Sequence, residues 1–420
     1  MSSRAVSERA VIFLIGAVQF VNILDFVMVM PLGPALAEGL GIATSHIGTI
    51  GAAYTAAGSV AGVAGSYFLD RFDRRKALAV AMLGLVVSTA AGGLATGLTS
   101  LLVARALAGL FGGPATSLAM SIIADVIPVE RRGRAMGAVM GAFSVASVLG
   151  VPLALRLARW GDWRLPFLAV AALGAVVVVG AIFFLPPLRG HLERQRGPTV
   201  TVRALFTRTD VLLSYTMTAL LNMGTFLVIP NISAYVQHNL GHPPEALETL
   251  YFVGGLVSFV TLRLAGRAVD RLGSFRVGTV GVLMFVTTLY FGFISLPVGV
   301  PLMAIFCCFF LANGMRNVSY STLTSRVPEQ SIRARFMSFQ SAVQHLGAAS
   351  GAFLSSQLLV DLPGGQLGGM NRVVLASMTL SLTLPVMFFL VERRLKARTP
   401  EVPPHALPLV AAPGGTPPRG

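Results

Sequence analysis

AVIFLIGAVQFVNILDFVMVMPLGPALA, residues 10 to 37, holds a single ionisable side chain, Asp25. At 1.5 Å rise per residue, a helical run of this length spans the ~30 Å hydrocarbon core of a bilayer. A cleavable signal peptide is the rival reading, because Ala35-Leu36-Ala37 imitates a small-residue cleavage site. Signal peptides carry an apolar region of about 7 to 15 residues, much shorter than this one, and further apolar runs follow that need an anchored topology. Twelve such runs are expected as membrane spans, at 10–36, 46–69, 77–98, 101–126, 135–157, 165–187, 211–237, 247–268, 277–296, 300–325, 336–360 and 371–391. The fold class is therefore an all-α integral membrane protein. With 54% hydrophobic and 12% charged residues among 420, a water-soluble globular chain is excluded.

The net charge of +15 raises the question of nucleic acid. The position of the basic residues answers it. Arg156, Arg159, Arg164 and Arg372 lie at or near one set of connections, and Arg105, Arg263 and Arg316 lie within spans. All other lysines and arginines fall in the tails and in the connections after spans 2, 4, 6, 8 and 10. This is the positive-inside asymmetry, which puts both termini in the cytoplasm and explains the charge without nucleic acid. Cys307 and Cys308 are adjacent in one span and cannot frame disulfides.

Two halves repeat each other at an offset of 199 to 201: Pro31 on Pro230, Leu40-Gly41 on Leu240-Gly241, Asp70-Arg71 on Asp270-Arg271, Pro128 on Pro328, Gly150 on Gly351. The expected organisation is an amino-terminal six-helix bundle, 1–188, and a carboxy-terminal six-helix bundle, 211–391, related by pseudo-symmetry. A polar cytoplasmic linker, 189–210, joins them, and a proline-rich tail, 392–420, is expected to be disordered. Parallel repeats of six spans are an architecture of secondary transporters, which hold substrate near mid-depth between the halves.

SYFLDRFDRRK, residues 66 to 76, resembles the G-x-L-A-D-R-x-G-R-K signature of the major facilitator superfamily, with Ser66 and Asp73 in place of its glycines. GRAVDRLGSFR, 266 to 276, is a second copy that lacks the terminal basic pair. R-x-x-x-G is met at Arg105 to Gly109, LGVP (149–152) with GDWR (161–164) is similar to the fifth-span antiporter region, and LDFVMVMPLGP (24–34) is similar to a first-span motif at Leu24, Asp25 and Pro34. Together they look most like the twelve-span drug and metabolite efflux branch, sugar-efflux permeases included. The resemblance implies a proton-driven carrier whose signature latches the cytoplasmic side.

Of 17 acidic residues, Asp25 alone falls mid-membrane. Burial there makes the carboxylate costly, so it is paired or protonated for part of the time. Arg105, the basic residue within a span of the first half, is its natural partner, and the pair is the candidate for proton coupling. A purely structural pair is the plainer alternative. Neither charge has a copy in the second half, where the offset leads to Gly224 and Ile305. Arg74 and Asp125 map on Ser274 and Ser325, so both members of that pair are lost together. Asp70, Arg71, Arg74 and Asp125 are the expected cytoplasmic gate of the first half, with Asp270 and Arg271 its remnant. Phe26, Met30, Asn222, Met223, Phe226, Asn313, Arg316, Gln344 and His345 are expected to line the substrate cavity, a mixture of apolar bulk with polar groups that suits an amphipathic or anionic ligand. Glycines at four-residue spacing (Gly133, Gly137 and Gly141, Gly58 and Gly62, Gly347 and Gly351) are expected at close helix approaches, and Pro152 at a bend.

The expected function is proton-coupled export of small molecules by alternating access, from a monomer in a bacterial cytoplasmic membrane. The alternatives are a nutrient or sugar importer on the same fold, then a lipid flippase or a sensor. The chain has neither a phosphate loop for an ATP-driven pump nor a catalytic motif for an enzyme, and no metal or cofactor is expected beyond the proton gradient.

Overall fold

A computed structural model describes residues 8–185, 188, 206–296, 299–329 and 333–398. The first half comprises α1 (Glu8–Met28), α2 (Ile47–Phe68), α3 (Arg74–Gly93), α4 (Leu98–Val126), α5 (Val129–Val145, continuing as Val151–Trp160) and α6 (Arg164–Phe184). The second comprises α7 (Thr209–Val228), α8 (Pro244–Leu272), α9 (Ser274–Phe293), α10 (Leu302–Arg326), α11 (Arg333–Leu358) and α12 (Met370–Leu382, continuing as Leu384–Arg398). α12 thus runs past the expected end at 391. The tail beyond 398 and the linker through 205 lie outside the described residues.

Eleven helices among the described residues are long and apolar enough to cross a membrane. The expected span 336–360 falls in α11, which does not reach that apolarity. It is 26 residues long but carries Gln340, Gln344, His345 and five serines. The packing accounts for this composition, because α11 lies between α2 and α7 and can direct polar groups at protein instead of lipid. Gln340 illustrates it: its amide donates to Thr218 on α7 and, at 2.9 Å, to the Tyr320 hydroxyl on α10.

Prolines break the first helix of each half at repeated positions. Pro31 follows α1 in a turn before the short helix Gly33–Leu40, and Pro230 sits in the 3-10 turn Ile229–Asn231 after α7. A proline removes one helical hydrogen bond, and at these two positions the helix stops, whereas α4 runs on through Pro114. Pro152 is accommodated otherwise: the π-turn Ala146–Gly150 widens α5 immediately before it.

Glycines set the closest helix contacts, though not all of the expected ones. A Cβ on Gly351 would lie 2.3 Å from the Met223 carbonyl of α7, and one on Gly347 2.8 Å from that of Ala219. Gly62, Gly137 and Gly141 face open space, so their spacing does not mark a close approach here. The tightest contact is one the spacing did not single out: a Cβ on Gly109 of α4 would lie 2.0 Å from the Tyr54 carbonyl of α2.

The termini of α1 and α12 share one face, here the terminal face; the opposite one is the distal face. The halves meet along α2 and α11 and along α5 and α8. At the distal ends they are joined by polar bonds. Asp361, in the short hairpin between α11 and α12, accepts from the Ser45 amide at 3.0 Å and the Ser45 hydroxyl at 2.5 Å. Arg159 at the end of α5 pairs with Glu245 and Glu248 of α8, at 3.0 and 3.3 Å. Nearer mid-depth, Ser59 donates to the Ala342 carbonyl at 2.9 Å. Gly48 of α2 abuts α11, where an added Cβ would lie 2.3 Å from the Ala352 carbonyl. The distal face is closed.

Candidate transport site

Asp25 is fully buried on α1, one helical turn beyond Asn22, so both side chains point at α2, α3 and α4. Arg105 of α4, 1% exposed, donates through one terminal nitrogen to both carboxylate oxygens, at 2.9 and 3.0 Å, and through the other to the Asp25 main-chain oxygen at 3.1 Å. The two side chains therefore pair directly. The spacing of Arg105, Gly109 and Gly112 on one face of α4 builds the rest. With no side chain at Gly109, α2 abuts α4, and the Tyr54 ring comes to rest 4.6 Å from the Arg105 guanidinium carbon. The Tyr54 hydroxyl donates to Asn22 Oδ1 at 3.0 Å, and the Asn22 amide donates to the Gly112 carbonyl at 2.9 Å and to Thr116 at 2.6 Å.

Thr89 on α3 completes the site. Its hydroxyl lies 2.8 Å from Asp25 Oδ1 and 2.8 Å from the Leu85 carbonyl. One hydroxyl proton serves one of these acceptors at a time. It can be given to an ionised Asp25, or to Leu85 while the hydroxyl oxygen accepts from a protonated Asp25. The same geometry therefore satisfies either protonation state, which a backbone donor could not do.

The gate residues divide. Arg74 and Asp125 form a partly exposed ion pair at 2.6 Å, while their repeat positions Ser274 and Ser325 form none, as the paired loss in sequence predicts. Arg71, Asp270 and Arg271 are exposed, and no ion pair engages them among the described residues. The Asp70 side chain lies outside the described ones. Asp73, which stands where the signature has glycine, caps α3 by accepting from the Arg75 amide at 3.0 Å and ties down Leu188 at 3.2 Å. In the second half the corresponding residue is Gly273, and Glu392 from α12 caps α9 instead, accepting from the Phe275 amide at 2.6 Å.

The nine expected cavity residues also divide. Phe26 and Phe226, at repeated positions in the two halves, stack at 6.0 Å, and Phe26 stacks on Tyr54 at 5.1 Å. Met30 is buried beside them against Gly51, and Met223 is half-buried against α11. Arg316 is instead sealed inside the second half. Its guanidinium donates to Thr225 of α7 at 3.2 Å and lies 3.7 Å from the Phe285 ring centre on α9, with two nitrogens unpartnered and no carboxylate paired to it among the described residues. Asn222 turns back on its own helix and donates to Thr218 O at 2.9 Å, while Asn313 keeps a buried carbonyl oxygen without a donor. His345 is half-buried and Gln344 exposed on α11. Tyr54, Thr89, Thr225 and Asp361 are the site and closure residues that sequence reasoning did not select. The first three are hydroxyls within apolar spans, but Tyr54 stands beside Thr55 and Thr89 beside Ser88, so the sequence does not single them out.

The Major Facilitator Superfamily profile matches residues 15–352 and 216–413. The chloramphenicol resistance protein of Streptomyces lividans is 26% identical over 341 residues, covering 80% of this chain and 86% of that protein. Multidrug resistance protein 2 of Bacillus subtilis is 23% identical over 323 residues, covering 74% and 79%. Among solved structures, a bacterial homologue of the human lysosomal transporter Spinster, inward-facing and unoccupied, superposes with a TM-score of 0.74 at 16% identity over 93% of this chain and 98% of that one. A D-xylose–proton symporter superposes at 0.73 and 16% identity, over 90% and 97%. A multi-pass membrane protein of two repeated halves, with a buried charge pair in the first, the chain belongs to the major facilitator superfamily.

Proposed function

We propose that the protein is a proton-coupled exporter of small amphipathic molecules, with twelve spans and both termini cytoplasmic, working as a monomer in the bacterial cytoplasmic membrane. The observation that carries this reading is the Asp25–Arg105 pair. It is the buried carboxylate of a long apolar helix, held by a cation and by a hydroxyl that fits both of its protonation states. Protonation from outside removes the counter-charge of Arg105, leaving it the Asp25 main-chain oxygen and the Tyr54 ring. Phe26 stacks on that same Tyr54, so a change at the pair reaches the aromatic contact between the halves. With the terminal face assigned to the cytoplasm, the closed distal face is the side turned away from the cytoplasm. The efflux activities named for the Streptomyces and Bacillus relatives favour export, and chloramphenicol is the first cargo to test. Arg316, with two unpartnered donors, is proposed to meet an acceptor group of the cargo once the second half rearranges around it.

The experiment is chloramphenicol flux in proteoliposomes under an imposed pH gradient. Export driven by the gradient supports the reading, and gradient-independent equilibration contradicts it. Within that assay Thr89→Val will lower gradient-driven flux about tenfold, since losing one hydrogen bond to a charged group costs ~1.5–3 kcal/mol. Thr89→Ser will keep most of the flux because it retains the hydroxyl. Arg74 and Asp125 are proposed to hold the cytoplasmic gate. A partly exposed pair contributes only about 0–1 kcal/mol to stability, so Arg74→Asp and Asp125→Arg will each lose transport without lowering the melting temperature. The double swap will restore transport; a swap that restores none removes the pair from the gate.

A further inference from the structure

The loss of the Arg74–Asp125 pair from the second half leaves a space at the corresponding place. Between the α8–α9 turn, the end of α10 and the end of α12 lies a cavity of about 1780 Å³ on the terminal face. Arg271, Arg276, Arg326 and Arg393 line it, and none of them is joined to a carboxylate among the described residues. The acids in its wall are mostly committed elsewhere. Glu392 caps α9 at Phe275 and holds Lys396 at 2.9 Å, and Glu329 holds Arg208 at 2.8 Å. Asp270 alone is left to face four guanidinium groups.

The cavity also borders the bilayer. Leu272 and Phe389 in its wall are exposed, and Val280, Leu283 and Val386 continue an exposed apolar surface along α9 and α12. Arginine forks match phosphate oxygens two at a time, and a basic pocket at the cytoplasmic ends of spanning helices suits the headgroup of an anionic lipid. We propose that this cavity binds the phosphate of an anionic phospholipid, phosphatidylglycerol or cardiolipin, whose acyl chains lie along α9 and α12. The apolar surface running from the cavity decides for a lipid over a soluble phosphate. The proposal does not depend on the direction or coupling of transport.

Native mass spectrometry of the full-length protein released from vesicles of phosphatidylcholine and phosphatidylglycerol tests it. The wild type will retain phosphatidylglycerol in preference to phosphatidylcholine. Arg276→Ser with Arg393→Ser will lower that retention at least fivefold, and Arg276→Ser alone will lower it measurably should the double variant fold poorly. Arg71→Ser, at the repeat position of Arg271 in the first half, will leave it unchanged. Excess inorganic phosphate will not displace the lipid. Equal retention by the wild type and both cavity variants, an equal loss in Arg71→Ser, or full displacement by inorganic phosphate would overturn the proposal.

Discussion

Asp25→Asn will abolish chloramphenicol export driven by a pH gradient, at least tenfold below wild type, while counterflow exchange between equal drug pools continues. Amide and carboxylic acid are close in shape, so the variant mimics a permanently protonated site, with Thr89 turned to Leu85. Exchange needs the halves to rock with cargo bound but needs no proton cycle. Arg105→Ala is expected to be the more damaging change. Either variant removes one member of a buried pair, at about 3–5 kcal/mol for the charge left uncompensated, so what separates them is what else Arg105→Ala removes. It also takes away the cation beneath Tyr54 and the donor to the α1 main chain. Its melting temperature in detergent will fall well below that of Asp25→Asn. Equal stability of the two variants would mean that the arginine is not what holds α1 to α4.

Gly48→Leu will trap the protein with its distal face open. No side chain fits between α2 and α11 there, because a Cβ meets the Ala352 carbonyl at 2.3 Å and the Ser356 hydroxyl at 2.5 Å. The obstruction is backbone, which cannot rotate aside as a flexible side chain would. It lies between the halves and not within one, so each bundle can fold as before while the closed arrangement is lost. Spin labels on Glu38→Cys and Gln366→Cys, both at exposed distal positions, will report a single long distance in Gly48→Leu and a short one in the parent. Transport will fall at least tenfold, with both halves as resistant to proteolysis as in the parent. Labels that remain close would place the closure at the Ser45–Asp361 and Arg159–Glu245 bonds instead.

The fold was legible because a bilayer leaves few choices. Apolar runs of spanning length follow from solvent physics, and the helices match them to within a few residues at most ends. α11 shows where this reading strains. Read as one of twelve apolar runs, 336–360 is the most polar of them, because an inner helix can carry Gln340, Gln344 and His345 against protein. Asp25 and Arg105 were legible for the opposite reason: a charge in an apolar run is expensive enough to stand out. Thr89 and Tyr54 were not, since a threonine in a helix usually donates to the carbonyl four residues back, and the partner of a tyrosine hydroxyl at the far end of its ring is set by packing. Only the packing brings these two to the pair. The distal closure was hidden because Ser45 and Asp361 lie 316 residues apart in loops without pattern. Gly109 was passed over within a motif match, though it is the residue that lets α2 deliver Tyr54 to Arg105.

If export is coupled through Asp25, cargo binding on one side must displace its proton, and proton release measures this. Purified protein in weakly buffered detergent solution, near the pH at which half the sites are protonated, is mixed with chloramphenicol while pH is followed. The wild type will release protons in proportion to occupied sites, and Asp25→Asn will bind the drug and release none. Equal release from both, or none from the wild type at saturating drug, would contradict it and leave the pair a structural one.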